Sequence, residues 1–390
     1  MTSVNSLRAL CLGSALAAFV LPVAAQAKDG VSTGPNGISL ELGDGAVELT
    51  LGGRLHVDGL SYDGETDFEE VDFRRARIEL SGEIGDVLRF RVDRELARGG
   101  GWRNVWALVE PVDGVRIRGG NFIVPFSMEE LQSSNSAPLM ERSLATAWSP
   151  GFSVGGAVEV SGSNFTLAAG YFGDALANED GRSEERGQGF AARGTFAPVR
   201  TRGNLVHFGA AIERRNFADG ETASFQSFAG SPLAPTLIST GLIADPDRLT
   251  NVGAEAAFAH GPLLLQGQYV RSWLDRTAAP TLDSDSWYAQ ASWVLTGQRY
   301  DYSRSSGIVS GVRLRRSKGA VELAARYSGI DQDDAALNGG QARALTLGAN
   351  WYLNSNLRLM ANYVRSEAQA ASGQSERRAD LFAARFQLSF

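Results

Sequence analysis

From residue 46 to the C-terminus, apolar and polar side chains alternate in runs of roughly ten residues, the period of a strand whose two faces meet different surroundings. The alternation predicts sixteen strands, at 46–60, 70–83, 86–97, 102–111, 114–122, 152–161, 163–173, 188–197, 203–215, 249–260, 262–274, 285–298, 319–329, 342–353, 356–366 and 378–390. No helical periodicity is sustained anywhere among them. Their connections alternate in length: "SGEIGD", "PVDG", "SGSN", "AHGP" and "LNSN" are tight, whereas 123–151, 174–187, 216–248 and 330–341 are long. Tight turns at one end and long loops at the other predict an all-β fold, a single 16-stranded antiparallel transmembrane β-barrel, since closure leaves no unpaired sheet edge in lipid. An even strand number also puts both termini on the periplasmic side.

One segment breaks the alternation of short and long. Residues 299–318, "RYDYSRSSGIVSGVRLRRSK", stand where a tight periplasmic turn is expected, and a strand there would invert all that follows. An irregular segment folded toward the pore mouth keeps the parity. The last strand, "ADLFAARFQLSF", sets Phe382, Ala384, Phe386, Leu388 and Phe390 on one face and Leu381, Ala383, Arg385, Gln387 and Ser389 on the other. A strand ending in Phe390 looks like an outer-membrane assembly signal. Trp102, Trp287, Trp293, Trp351, Tyr352 and Tyr363, near strand ends, suit aromatic girdles.

Composition sharpens this picture. Arg8, the apolar run 9–20 and "AAQA" read as a secretory signal peptide over residues 1–27. A short lead-in at 28–45 then precedes the barrel domain, 46–390. Cys11 is the one cysteine, so the mature chain has no disulfide, and loss of Arg8 takes the formal charge from −7 to about −8, which argues against a nucleic-acid partner. No apolar run beyond residue 27 approaches the ~20 residues of a membrane helix.

Charge is concentrated on particular faces. In "FRRARIEL", Arg75, Arg77 and Glu79 share one parity while Ala76, Ile78 and Leu80 share the other. "RFRVDRE" and "VRIRGGNF" repeat the pattern with Arg89, Arg91 and Asp93, then Arg116 and Arg118. Extending the polar parity to every strand puts Arg54, Arg75, Arg77, Arg89, Arg91, Arg116, Arg118, Arg193, Arg326, Arg358 and Arg385 in the lumen. Glu48, Asp58, Glu79, Asp93, Glu95, Glu159, Glu255 and Glu322 join them. Two readings stand open: a ladder of wall salt bridges, or a cationic path for anions, which the forked donors of arginine suit. Arginine makes up 35 of the 37 basic residues, a bias that genome composition can also produce.

The runs "VDFRRARIELSGEIGD", "GGNFIVPFSMEELQSSNSAPLMERSL", "ASWVLTGQRYDY", "VELAARYS" and "LTLGANWYLNSNLRLMANYV", with the aromatic terminal strand, resemble the phosphate-selective porins of the O and P family over about residues 47–390. The resemblance implies a homotrimer in the Gram-negative outer membrane, inserted in lipid by the barrel-assembly machinery, that passes phosphate or polyphosphate. It further implies that the loop after the fifth strand, Asn121 to Gly151, folds inward as a constriction, with Asn121, Ile123 and Ser127 at its start. Members often carry lysine where this chain has Ile123, and lysines in the stretch matching 299–318 where it has Arg313, Arg315 and Arg316.

Among alternatives, an enzyme is disfavoured: His56, His207 and His260 lie near no nucleophile motif, and no metal-ligand spacing, phosphate loop or cofactor motif is present. Within channels, carboxylate or sulfate porins and a general-diffusion porin remain open.

Overall fold

The computed structural model describes residues 30–34, 37–176, 187–314, 319–334, 337–369 and 377–390; the expected signal peptide, Arg315 and Arg316 lie outside them. Sixteen strands follow one another as antiparallel neighbours. They are β1 Val47–Asp63, β2 Phe68–Ile84, β3 Leu88–Glu95, β4 Gly101–Val112, β5 Val115–Ile123, β6 Phe152–Ser161, β7 Phe165–Phe172 and β8 Gln188–Arg200. The second half comprises β9 Asn204–Asn216, β10 Pro246–His260, β11 Leu263–Arg276, β12 Leu282–Val294, β13 Ala320–Asp334, β14 Leu337–Tyr352, β15 Leu357–Gln369 and β16 Arg377–Ser389. The sheet closes where β16 pairs with β1, from Asp380 opposite Asp63 to Ser389 opposite Arg54. Each expected strand is present, with ends shifted by at most five residues.

The two faces divide as the alternation requires. Val71, Phe73, Ile78, Phe190, Phe208 and Ile212 are exposed on the outer wall, whereas Arg54, Asp58, Asn251, Gln266 and Glu322 are buried within. A lipid-facing wall reverses the usual arrangement of a soluble protein, because hydrocarbon solvates apolar side chains and not polar ones. Trp102, Trp293 and Trp351 are exposed and suit girdles. Tyr352 does not: it is buried inside, its hydroxyl donating to Glu322 at 2.8 Å, because its parity on β14 is that of Asn350.

Both ends of the barrel chain sit together. Gly53 and Phe390 exchange backbone hydrogen bonds, and the Phe390 ring covers Gly53 so closely that a Cβ there would lie 2.9 Å from it. Beyond this point the same edge of β1 is taken by Gly37–Leu42, itself paired with Gly30–Gly34. This N-terminal hairpin lies in the stretch read from sequence only as a short lead-in; its run "GISLEL" is too short to stand out by alternation alone.

Two segments fill the barrel. Residues 124–151, after β5, carry the short helix α1 Met128–Leu131 and a 3₁₀ turn at Leu144–Thr146. They bond to inward side chains of distant strands: Asn350 to the Pro138 carbonyl, Arg385 to that of Met140, Asn251 to that of Trp148. The other segment is 299–314 of the irregular stretch, in which Tyr300–Ser303 and Ile308–Val312 pair as a hairpin. It enters from the end that carries the termini. Arg193 donates to the carbonyls of Ser306 and Gly307, and Gln132 of the loop donates to that of Val309. Gly307 has a positive φ of 61°, and a Cβ there would lie 2.5 Å from Thr195, so only glycine seats this turn against the wall.

Candidate pore

Each of the eleven arginines expected in the lumen has a carboxylate partner. Arg54 and Arg91 meet Glu79, both at 2.6 Å. Arg77 meets Glu95 at 3.2 Å, Arg91 also meets Asp93 at 3.0 Å, and Asp93 accepts from Asn104. On β13–β16, Arg326 pairs with Glu129 at 2.9 Å, Arg358 with Glu322 at 3.8 Å and Arg385 with Asp58 at 2.6 Å. Arg193 pairs with Glu255, which also bonds His207. Arg89 stands apart from the rest: 46 % of its side chain is exposed, and it pairs with Glu83 and Glu110 beside the turns. Much of the charge on these faces is therefore a wall ladder.

Two clusters exceed that ladder. Arg116 and Arg118 share the single carboxylate Glu159, at 2.5 and 3.0 Å. Arg74, Arg75 and Arg385 converge on Glu141 of the inserted loop at 2.8, 3.7 and 2.7 Å. Arg74 was not expected here, since simple alternation aims it at lipid. The register shifts between His56–Arg75 and Val57–Phe73, so Arg74 is the extra residue of a β-bulge. An arginine facing the hydrocarbon midplane costs roughly 2–4 kcal/mol, whereas the bulge turns it to an acceptor. Two adjacent arginines in an otherwise alternating strand are the one sequence signal for it.

The loop residues read from sequence hold the loop in place. Asn121 donates to the Arg103 carbonyl and accepts from Leu176, and Ser127 caps α1 while donating to Gln268 at 3.0 Å. Ile123, half-buried at the end of β5, shares the parity of the lipid-facing Ile117, and Phe122 that of Arg118. Arg142, a residue that alternation does not reach, caps the loop from within: it donates to the carbonyls of Glu129, Glu130 and Gln132 and pairs with Glu130 at 3.1 Å.

Space remains on both sides of the loop. Toward the long loops lies a cavity of about 610 Å³ whose charged lining is Arg74, Arg75, Arg142, Arg326 and Glu141. Toward the termini lies one of about 540 Å³, bounded by Glu79, Arg91, Arg358, Asn135 and Ser136. Between them a recess of about 20 Å³ touches Arg75, Glu129, Glu141, Arg142 and Arg326. Strand β2, which carries "FRRARIEL", lines both cavities. A third, about 840 Å³, lies beside the hairpin and is ringed by Arg200, Arg202, Arg299, Arg304 and Arg313 with Asp301.

Residues 49–390 match the profile of the family described as Phosphate-selective porin O and P. The chain belongs to that family. It is 24% identical to Porin O of Pseudomonas aeruginosa, over 98% of this chain and 97% of that one. The fold is also that of OmpT from Vibrio cholerae (TM-score 0.58, 14% identity, 90% and 99% of the two chains) and of an anion-selective porin from Comamonas acidovorans (TM-score 0.56, 13%, 88% and 100%). This porin O and P member is an outer-membrane porin of Gram-negative type and not an enzyme.

Proposed function

We propose that the porin conducts inorganic phosphate or polyphosphate past the loop 124–151, with the arginines of β2 as its charged rail. The observation that carries this is the cavity above the loop, where four guanidinium groups face one carboxylate. Low-dielectric walls focus such a field, and a guanidinium is charged at every relevant pH. Arg116 and Arg118 add a second such excess, two guanidinium groups on the one carboxylate Glu159. Arg54, Arg77, Arg193 and Arg385, by contrast, serve mainly to hold wall and loop. Ile123, in the place of the family's lysine, adds no charge, so selectivity rests on the β2 cluster instead.

The proposal extends to the setting: residues 1–27 removed as a signal peptide, Phe390 read by the assembly machinery, and a homotrimer in lipid, as in the trimer form of OmpT. Planar bilayers under a potassium chloride gradient test the conducting role. A reversal potential of anion-selective sign, and conductance that falls as phosphate is added, are expected. Cation selectivity would reduce the arginines to wall salt bridges, and anion selectivity without phosphate block would favour a porin for other small anions.

A further inference from the structure

The cavity above the loop is only half what a bare phosphate requires. Its floor is cationic, and the rest of its lining mixes polar side chains such as Ser224, Gln226 and Ser227 with Phe217, Phe225, Phe228, Leu242 and Leu249. Leu242 is 75% exposed, an unusual place for a leucine that has a cavity beside it. A passage for inorganic ions gains nothing from those apolar side chains, because apolar walls strip water without replacing its hydrogen bonds.

This roof is built, not loose. It comes from the long segment between β9 and β10, in which Gln226–Phe228 pairs with Thr236–Ser239 and Ala223 with Ile243. Phe225 stacks on Trp148 of the inserted loop, ring centres 3.7 Å apart and planes 7° from parallel, and Arg98 donates to the Pro232 carbonyl. Roof and floor are thus joined through residues 124–151. The volume of about 610 Å³ lies within the range of small-molecule sites, which pair a mostly apolar lining with a few placed polar groups.

Resting on the anion-channel reading above, we infer that this cavity is a binding site for small organic anions, in which an oxyanion head meets Arg74, Arg142 and Arg326 while an apolar body of about one ring packs under Phe217, Phe228 and Leu242. Apolar contact adds to affinity without competing for the arginines, so the organic anion outbinds the inorganic one with the same head. The probe is phenyl phosphate against inorganic phosphate, with phenol as the neutral control, each added to the long-loop side of single channels in bilayers.

Phenyl phosphate should block at a concentration lower by about tenfold, the discrimination a hydrophobic pocket commonly gives, and phenol should not block. In Leu242→Ser with Phe228→Ser, the ratio of the two blocking concentrations should fall toward one. Equal block by the two phosphates in the wild type, survival of the full ratio in the double variant, or block by phenol overturns the inference. The wild-type comparison decides even where the variant fails to assemble. Equal block leaves the phosphate-channel reading standing, whereas absence of any block in a cation-selective pore removes both.

Discussion

Replacing Glu141 with glutamine tests whether the convergent arginines govern conduction. The carboxylate accepts from Arg74 at 2.8 and 2.9 Å and from Arg385 at 2.7 Å, with Arg75 at 3.7 Å, while Arg385 keeps Asp58 as a second partner. Glutamine preserves the shape and one acceptor, so Arg385 stays anchored and the loop remains in the barrel. The electrostatics change by one full charge at the floor of the outer cavity. For a monovalent anion about 6 Å away, with an effective dielectric between ~20 and ~80, that charge is worth roughly 1–3 kcal/mol. Anion-over-cation permeability should therefore rise about fivefold or more, at roughly 1.4 kcal/mol per tenfold. The assay is the zero-current potential across a potassium chloride gradient, on protein whose heat-modifiable band shows a closed barrel. An unchanged potential in well-folded Glu141→Gln refutes the conducting role of Arg74 and Arg75.

The same clasp has a pH signature. Burial pushes the Glu141 carboxyl up, but Arg74, Arg75 and Arg385 outweigh it and hold the group far below the usual carboxylate range. A depressed carboxylate contributes its anchoring at every pH above its unfolded value and loses it only as pH falls through the folded one. Conductance and open-channel noise should stay flat from pH 8 down to about 5, above the unfolded value of ~4.3; a step within that range would contradict the pairing. Cysteine labelling checks the bulge: Arg74→Cys and Arg75→Cys should both react with a charged thiol reagent through the pore, and Phe73→Cys and Ile78→Cys should not. Shortening the hairpin by deleting 303–308 should raise single-channel conductance, and equal conductance would mean that it lies off the path. Deleting Phe390, which covers Gly53 at the seam, should lower the folded protein reaching the outer membrane, measured by surface labelling.

Legibility in the sequence followed the environment of each element. Strands that cross lipid obey one rule, apolar out and polar in, over ten or more residues, and all sixteen could be read because hydrocarbon tolerates few exceptions. Inside the barrel no such rule holds. Glu141 sits in a segment without periodicity, and its role is set by Arg74, Arg326 and Arg385, which stand up to 244 residues away in the chain. Parity put Arg75 and Arg77 on one face yet could not show that Arg77 is neutralised by Glu95 while Arg75 shares a carboxylate with two other arginines.

The bulge at Arg74 joins these two regimes. Strict alternation in "FRRARIEL" forces one of the paired arginines into lipid, and the chain escapes by inserting one residue opposite the His56–Val57 step. After the bulge the apolar set Ala76, Ile78 and Leu80 faces outward again, so the strand loses no lipid contact. What it gains is a second guanidinium at the height of the inserted loop, where Glu141 meets both. A salt-bridge ladder needs one cation per carboxylate, as Arg54, Arg77 and Arg91 show against Glu79, Asp93 and Glu95. At Glu141 the cations are in excess, beside the small recess between the two cavities, and an excess placed there serves an anion in transit better than it serves the wall.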